Sequence, residues 1–181
     1  MKITSGEYKY RKLEIPDGIR PTTEKVREAI FSMIASWIPD AVVLDLFAGS
    51  GALGLEALSR GAGIAYFNEL DRKNYKILNS NINHCRAEEK SHVINGDFRT
   101  CLEKLGLKNV KLDVILMDPP YHEGYYEEAF DLINEMDLLD EGSIVVAEHL
   151  YDNKLSESYG RLRKIREKKY GTIGVDLFIA E

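Results

Sequence analysis

The chain has little that would cross-link it, bind a metal or hold it in a membrane. Its two cysteines, Cys85 and Cys101, stand alone among 181 residues with no paired or metal-ligand spacing, and its four histidines are scattered. A disulfide framework and a zinc site are therefore not expected. No apolar run approaches the roughly 18 residues of a membrane span, and Met1-Lys2-Ile3-Thr4-Ser5 lacks the apolar centre of a signal peptide. The expectation is a cytoplasmic protein with neither a metal nor a membrane partner. There is also no internal repeat and no low-complexity segment. What is present, 181 residues with 44% apolar content, suits one α/β domain and leaves no room for a second full one.

The formal charge of −6 argues against a polyanionic partner, but its distribution matters more than its sum. Residues 1–30 carry seven Lys/Arg against five acids, and residues 154–170 carry seven against two. An acidic body with two basic ends can still hold nucleic acid locally. The plainer reading of the second run is a solvated hairpin face, and both readings stand at this stage.

Short apolar, β-rich runs alternate with helical patterns from residue 41 to the end, the pattern of a mostly parallel sheet covered on both faces. Strands are expected at Val42–Leu46, Ile64–Asn68, His92–Ile94, Leu112–Met117 and Ser143–Glu148, with helices near 52–60, 72–84, 98–105 and 125–137. The rhythm then breaks. Arg161–Lys169 and Thr172–Ala180 each alternate about the turn Tyr170-Gly171, which predicts a C-terminal antiparallel hairpin. Residues 1–40 look like an extension: a hairpin over Lys2–Ile15, a linker, and a helix over Glu24–Trp37 capped by Thr22 or Thr23 and stopped by Pro39. Residues 41–181 form the main domain.

Two motifs carry the chemistry. In Asp45-Leu46-Phe47-Ala48-Gly49-Ser50-Gly51-Ala52-Leu53-Gly54 a strand runs into a glycine-rich turn and then a helix, and Gly49, Gly51 and Gly54 also fit the dinucleotide spacing. Asp45 separates the two readings. A carboxylate at the strand end attracts the ammonium and sulfonium of S-adenosylmethionine, whereas it would repel a pyrophosphate. Phe47, Ala48, Gly49, Ser50 and Gly51 are accordingly candidate cofactor contacts. Glu69, at the end of the second strand, suits the two ribose hydroxyls, and the nearby Asp71 suits a helix cap. Asp97 suits either the adenine amino group or a helix cap, and Phe98 could pack on the adenine ring.

The second motif is Asp118-Pro119-Pro120-Tyr121, which closes the apolar run Val114-Ile115-Leu116-Met117. The prolines fix the backbone so that carbonyls point into a site. An exocyclic amine is a poor nucleophile because its lone pair is delocalised into the ring. Asp118 and the Pro119 carbonyl could accept its two hydrogens and hold the nitrogen in line, while Tyr121 stacks on the unstacked base. A carboxylate matches the adjacent N1 and N2 donors of guanine better than the donor–acceptor edge of adenine. An adenine-N6 methyltransferase acting on DNA or other RNA remains the alternative, and a dinucleotide-binding oxidoreductase leaves Asp45 and Asp118 without a task. His122 and His149 read as loop and strand-end residues. Tyr8, Tyr10, Arg11 and Lys12 form a basic-aromatic patch that could grip RNA or simply be solvated.

With these residues in place, the chain resembles the RsmD family, bacterial methyltransferases acting on the N2 amino group of a guanine in 16S ribosomal RNA. The resemblance runs nearly end to end. It includes Ile3-Thr4-Ser5-Gly6, Arg11-Lys12-Leu13, Arg20-Pro21-Thr22, Val26-Arg27-Glu28-Ala29-Ile30-Phe31, the turn Leu44–Gly54, Glu69 with Asp71-Arg72, Asp118–Tyr121, and Tyr170-Gly171. It implies a Rossmann-like class I methyltransferase with a seven-stranded sheet, and a substrate RNA presented in an assembling small ribosomal subunit. It also implies Asp118 as the amine-holding group. The accompanying expectations are S-adenosylmethionine turned over to S-adenosylhomocysteine, a monomeric enzyme, and an RNA-facing side that includes Tyr8, Arg11, Lys12, Arg20 and Thr22. One departure is Tyr10, where a small residue, often glycine, is expected before the arginine.

Overall fold

The computed structural model describes residues 1–19, 22–120 and 124–181. Five parallel strands, β1 (Val42–Asp45), β2 (Ile64–Glu69), β3 (Ser91–Asn95), β4 (Leu112–Met117) and β5 (Leu139–Leu150), lie in the order β3-β2-β1-β4-β5. The antiparallel strands β6 (Ser158–Tyr159), β7 (Leu162–Tyr170) and β8 (Ile173–Ala180) extend the β5 edge in the order β8-β7-β6. The sheet thus has eight strands where seven were expected. The addition is the two-residue β6, which pairs Ser158 with Arg163 and Tyr159 with Leu162. A pairing so short leaves no period in the sequence to detect.

Both faces of the central strands β1 and β4 are covered, which is why their sequences read as nearly continuous apolar runs. Val43, Phe67, Val114 and Val146 join one core cluster with the buried faces of α1 (Glu24–Met33), α2 (Ala52–Ser59) and α3 (Arg72–Cys85). Leu44, Ile115, Met117 and Val145 join the opposite cluster with α4 (Phe98–Leu107) and α5 (Tyr125–Glu135). No helix among the described residues is long and apolar enough to cross a membrane.

The N-terminal extension differs in detail from the expectation. The hairpin reduces to a single bridge, Lys2 with Lys12, because the intervening turn is drawn down onto α2. The Glu7 amide donates to the Ser59 carbonyl at 2.8 Å and the Tyr8 amide to Ser59 Oγ at 2.9 Å. The first helix ends at Met33, earlier than the expected Trp37, and a tight turn over Ala35–Trp37 follows. Ile34 and Ile38 are both buried, as the i, i+4 spacing of a continued helix would also place them. Thr23 is the cap, its side chain accepting from the Val26 amide at 3.2 Å.

The extension is fastened by a buried ion-pair cluster. Arg27 on α1 and Glu56 on α2 are fully buried, 3.6 Å apart between Nε and Oε2. Glu56 also meets Arg60 at 3.0 Å and accepts from the Thr4 amide and hydroxyl. Arg27 further donates to the Lys2 carbonyl. Burial lowers the Arg27 pKa against the opposing pull of Glu56. The expected extension is therefore packed into the main core, through Ile3, Leu13, Val26, Ile30 and Phe31.

Candidate active site

The parallel strands end along one edge of the sheet, and four of them bring an acid there: Asp45 closes β1, Glu69 closes β2, Asp118 follows β4, and Glu148 lies near the end of β5. Strand order reverses between β1 and β4, which opens a crevice at that edge. The cavity holds about 570 Å³. Asp45, Phe47, Ala48, Gly49, Ser50, Glu69, Asp97 and Phe98 lie on its wall, as do Asp118, Pro119 and Pro120. The two motifs, far apart in sequence, therefore share one space. Gly51 is the exception. It lies beneath the turn with φ +84°, a conformation that favours glycine, and a Cβ there would stand 2.4 Å from Leu78 Cδ1 and displace the end of that side chain.

The turn is held by the acids it was expected to present to a ligand. Asp45 Oδ2 accepts the Gly54 amide at 2.9 Å, and Glu69 Oε2 accepts the Gly49 amide at 2.8 Å. Gly54 permits the close approach of α2 to β2, since a Cβ there would lie 2.3 Å from Phe67 Cε1. Asp45 is only 1% exposed. Burial pushes its pKa up to about 7, opposed by the Gly54 amide and reinforced by the charges of Asp118 and Glu69. Asp71 caps α3, accepting from Lys73 and Asn74 amides at 2.8 and 3.0 Å.

Asp97 makes the cap that was one of its two readings, accepting from the Arg99 amide at 2.9 Å, while it also lines the cavity. Phe47 and Phe98 meet with ring centroids 5.2 Å apart. Tyr125, at the start of α5, packs 5.3 Å from Phe98 and parallel to Phe47 at 6.3 Å. The sequence reading passed over Tyr125. Its signal is an aromatic in the first turn of the helix after the Asp-Pro-Pro motif.

On the acceptor side the structure makes an unforeseen connection. Thr22, expected on the RNA side, places its hydroxyl 3.1 Å from Asp118 Oδ2 and 2.8 Å from Glu148 Oε2. Burial raises the pKa of both carboxyls, that of Glu148 further because the neighbouring Asp118 charge adds to it. Glu148 was missed because no glycine turn or Asp-Pro-Pro motif accompanies it. Its signal is the strand-end position that Asp45, Glu69 and Asp118 also occupy. His149 is turned away, fully buried, with Nδ1 2.8 Å from the Leu150 carbonyl and Nε2 3.2 Å from Asp176.

The basic-aromatic patch is corrected. Tyr8 is 3% exposed and belongs to the core, so its ring offers no stacking face. Arg11 lies over that ring at 5.2 Å and donates to the Cys85 carbonyl. Lys12 is exposed. Tyr10 is 70% exposed with φ +71°. Arg20, Tyr121 and His122 lie outside the described residues. In the C-terminal hairpin, Tyr170 pairs with Ile173, which pairs with Leu150. Lys168 and Lys169 are thus exposed at the cavity end of the sheet. Arg163, paired with Ile179 beside Ile144, lies toward the opposite end. Among the described residues no group of His, Cys, Asp and Glu is arranged to hold a metal ion.

Comparison with known proteins agrees with this architecture over its whole length. The family model described as "Conserved hypothetical protein 95" matches residues 1–179. The Ribosomal RNA small subunit methyltransferase D of Escherichia coli (strain K12) is 36% identical over 183 residues, covering 100% of this chain and 90% of that protein. YlbH of Bacillus subtilis (strain 168) is 37% identical over 180 residues, covering 98% of each. The solved structure of yhhF from Escherichia coli superposes with a TM-score of 0.90 at 36% identity, covering 100% of this chain and 98% of that one. The chain belongs to the RsmD family.

Proposed function

We propose that this protein transfers a methyl group from S-adenosylmethionine to the N2 amino group of a guanine in small-subunit ribosomal RNA. The observation that carries the reading is that Asp118-Pro119-Pro120 and the glycine turn at Gly49 line one cavity. S-adenosylmethionine supplies an electrophilic methyl group on a sulfonium. The donor set suits such a cation: buried acids, aromatic rings and no phosphate-binding cluster of Lys or Arg on the wall among the described residues. Glu69 is assigned to the ribose hydroxyls, Asp45 to the ammonium, and Phe47 and Phe98 to the adenine ring, with Asp97 at its amino group.

The chain's remaining task is to make an amine nucleophilic. Asp118 and the Pro119 carbonyl accept its two hydrogens, which localises the lone pair and aims it, and Pro120 fixes that carbonyl. Of the two oxygens of Asp118, Oδ2 is occupied by Thr22, and Oδ1 has no partner among the described residues. Tyr121 is assigned to stacking on the flipped base. The exposed Lys168 and Lys169 are assigned to phosphates beside the target. The substrate is RNA in an assembling subunit, and the enzyme acts as a monomer.

The test is incubation with methyl-labelled S-adenosylmethionine and small subunits lacking modification, beside naked ribosomal RNA and DNA, followed by digestion to nucleosides. Label in N2-methylguanosine is the expected result. Label in N6-methyladenine would replace this reading with the adenine alternative.

A further inference from the structure

The hydroxyl of Thr22 has one proton and two carboxyl partners. It lies 3.1 Å from Asp118 Oδ2 and 2.8 Å from Glu148 Oε2. A hydroxyl donates to one acceptor only, so the second contact is attractive only when that carboxyl carries a proton and donates to Oγ1. Glu148 is 5% exposed. Asp118 keeps part of its surface open to the cavity, so the proton belongs on Glu148 and the charge on Asp118.

We propose that Thr22 and Glu148 are positioning residues for Asp118: neutral Glu148 donates to Thr22 Oγ1, Thr22 donates to Asp118 Oδ2, and Asp118 Oδ1 is left to the substrate amine. The chain of bonds fixes the rotamer of Asp118 and keeps it ionised. The inference rests on the proposed reaction only for its catalytic consequence. The protonation pattern stands on the structure alone.

The surroundings agree. Asp118 on β4 is the charged group facing the Glu148 carboxyl, and it raises the Glu148 pKa. Asp45, further along the edge, interacts with Asp118. From α5, Tyr126 donates its hydroxyl to the Glu148 backbone carbonyl at 2.7 Å, fixing the strand and leaving the carboxyl to Thr22. On β8 the residue opposite Glu148 is the apolar Val175. His149 is engaged by Leu150 and Asp176.

Glutamine mimics a neutral carboxylic acid, because its amide can donate to Thr22 without bearing charge. Turnover of Glu148→Ala and Thr22→Val is expected to fall about tenfold or more, with S-adenosylhomocysteine affinity near wild type, which also reports that each variant is folded. Glu148→Gln and Thr22→Ser should recover most of that loss, and Glu148→Gln should abolish the decline of wild-type activity above about pH 8. Independently of any RNA, carbon-13 spectra of the side-chain carboxyls are expected to show Glu148 protonated and Asp118 ionised at pH 7. Glu148→Gln as impaired as Glu148→Ala, Glu148→Ala as active as wild type, or both carboxyls ionised at pH 7 would each overturn the proposal. Label in N6-methyladenine with the wild-type protein would instead overturn the guanine reading and leave the carboxyl spectra to decide the hydrogen-bond chain.

Discussion

Asp45 is the residue whose proposed function works most directly against stability, and Asp45→Asn measures that conflict. The carboxyl has a pKa of about 7 in the folded protein against 3.8 for the free group, a difference of about 4 kcal/mol at 1.36 kcal/mol per pH unit. The sign follows from the direction. A raised carboxyl pKa destabilises the fold only when the group must ionise, so the penalty is absent below about pH 4 and complete above about pH 7. Asparagine cannot ionise, and its carbonyl can keep the Gly54 amide bond. The stability advantage of Asp45→Asn over wild type is therefore expected to grow by about 2 to 3 kcal/mol between pH 5 and pH 8. Urea unfolding followed through the single tryptophan, Trp37, measures it at both pH values. Binding should change in the opposite sense. Wild-type affinity for S-adenosylhomocysteine is expected to weaken about tenfold from pH 8 to pH 6, as Asp45 takes up its proton, and Asp45→Asn is expected to bind weakly at both. A stability difference that does not vary with pH would refute the burial argument. A mutant that binds as tightly as wild type at pH 8 would refute the ammonium assignment.

Asp118→Ala is expected to cost about 10² to 10³ in kcat while cofactor affinity stays near wild type; equal loss of both, by single-turnover kinetics and calorimetry, would place Asp118 on the cofactor. Glu69→Ala is expected to do the reverse, weakening S-adenosylhomocysteine binding by about 1 to 3 kcal/mol, and an unchanged dissociation constant would remove it from the ribose. Glu56→Ala leaves Arg27 buried without its partner and is expected to cost about 3 to 5 kcal/mol in unfolding free energy. Reversing Lys168 and Lys169 to Glu is expected to flatten the salt dependence of RNA binding more than reversing Arg11 and Lys12, and the opposite ranking would move the RNA to the N-terminal face.

The sheet and its helices were legible because β1, β4 and the middle of β5 are apolar runs and α3, α4 and α5 each bury one face at helical spacing. These are local signals that survive without tertiary information. The first helix ends at Met33, before the expected Trp37, with a tight turn over Ala35–Trp37 after it; Ile34 and Ile38 are buried as a continued helix would also have them, so the apolar spacing does not mark the break. On the site wall, Asp45, Glu69 and Asp118 were readable because each acid stands at a strand end, beside the glycine turn or the Asp-Pro-Pro motif, although Asp45 and Glu69 also hold the turn itself. The meeting of Thr22 with Glu148 was not legible because the two are 126 positions apart, and no local pattern records it. Tyr8 was misread because its neighbours are basic, whereas the Ser59 contacts that turn it inward lie on α2. The departure at Tyr10 has a physical form. Its φ of +71° lies in the left-handed region, which glycine adopts freely and tyrosine only at about 1 to 2 kcal/mol, so a glycine here would sit without that strain.

The reversal of strand order between β1 and β4 divides the site between two halves of the chain. Everything assigned to the cofactor lies between Asp45 and Phe98, and the acceptor side is built mainly from Asp118 to Glu148. Under the proposed assignments, a different target amine would call for changes in the later segment and leave the cofactor residues of the earlier one in place. The halves meet through the pairing of β1 with β4, the packing of Tyr125 on Phe47 and Phe98 and the mutual field of Asp45 and Asp118, so what must be preserved across the seam is shape as well as charge.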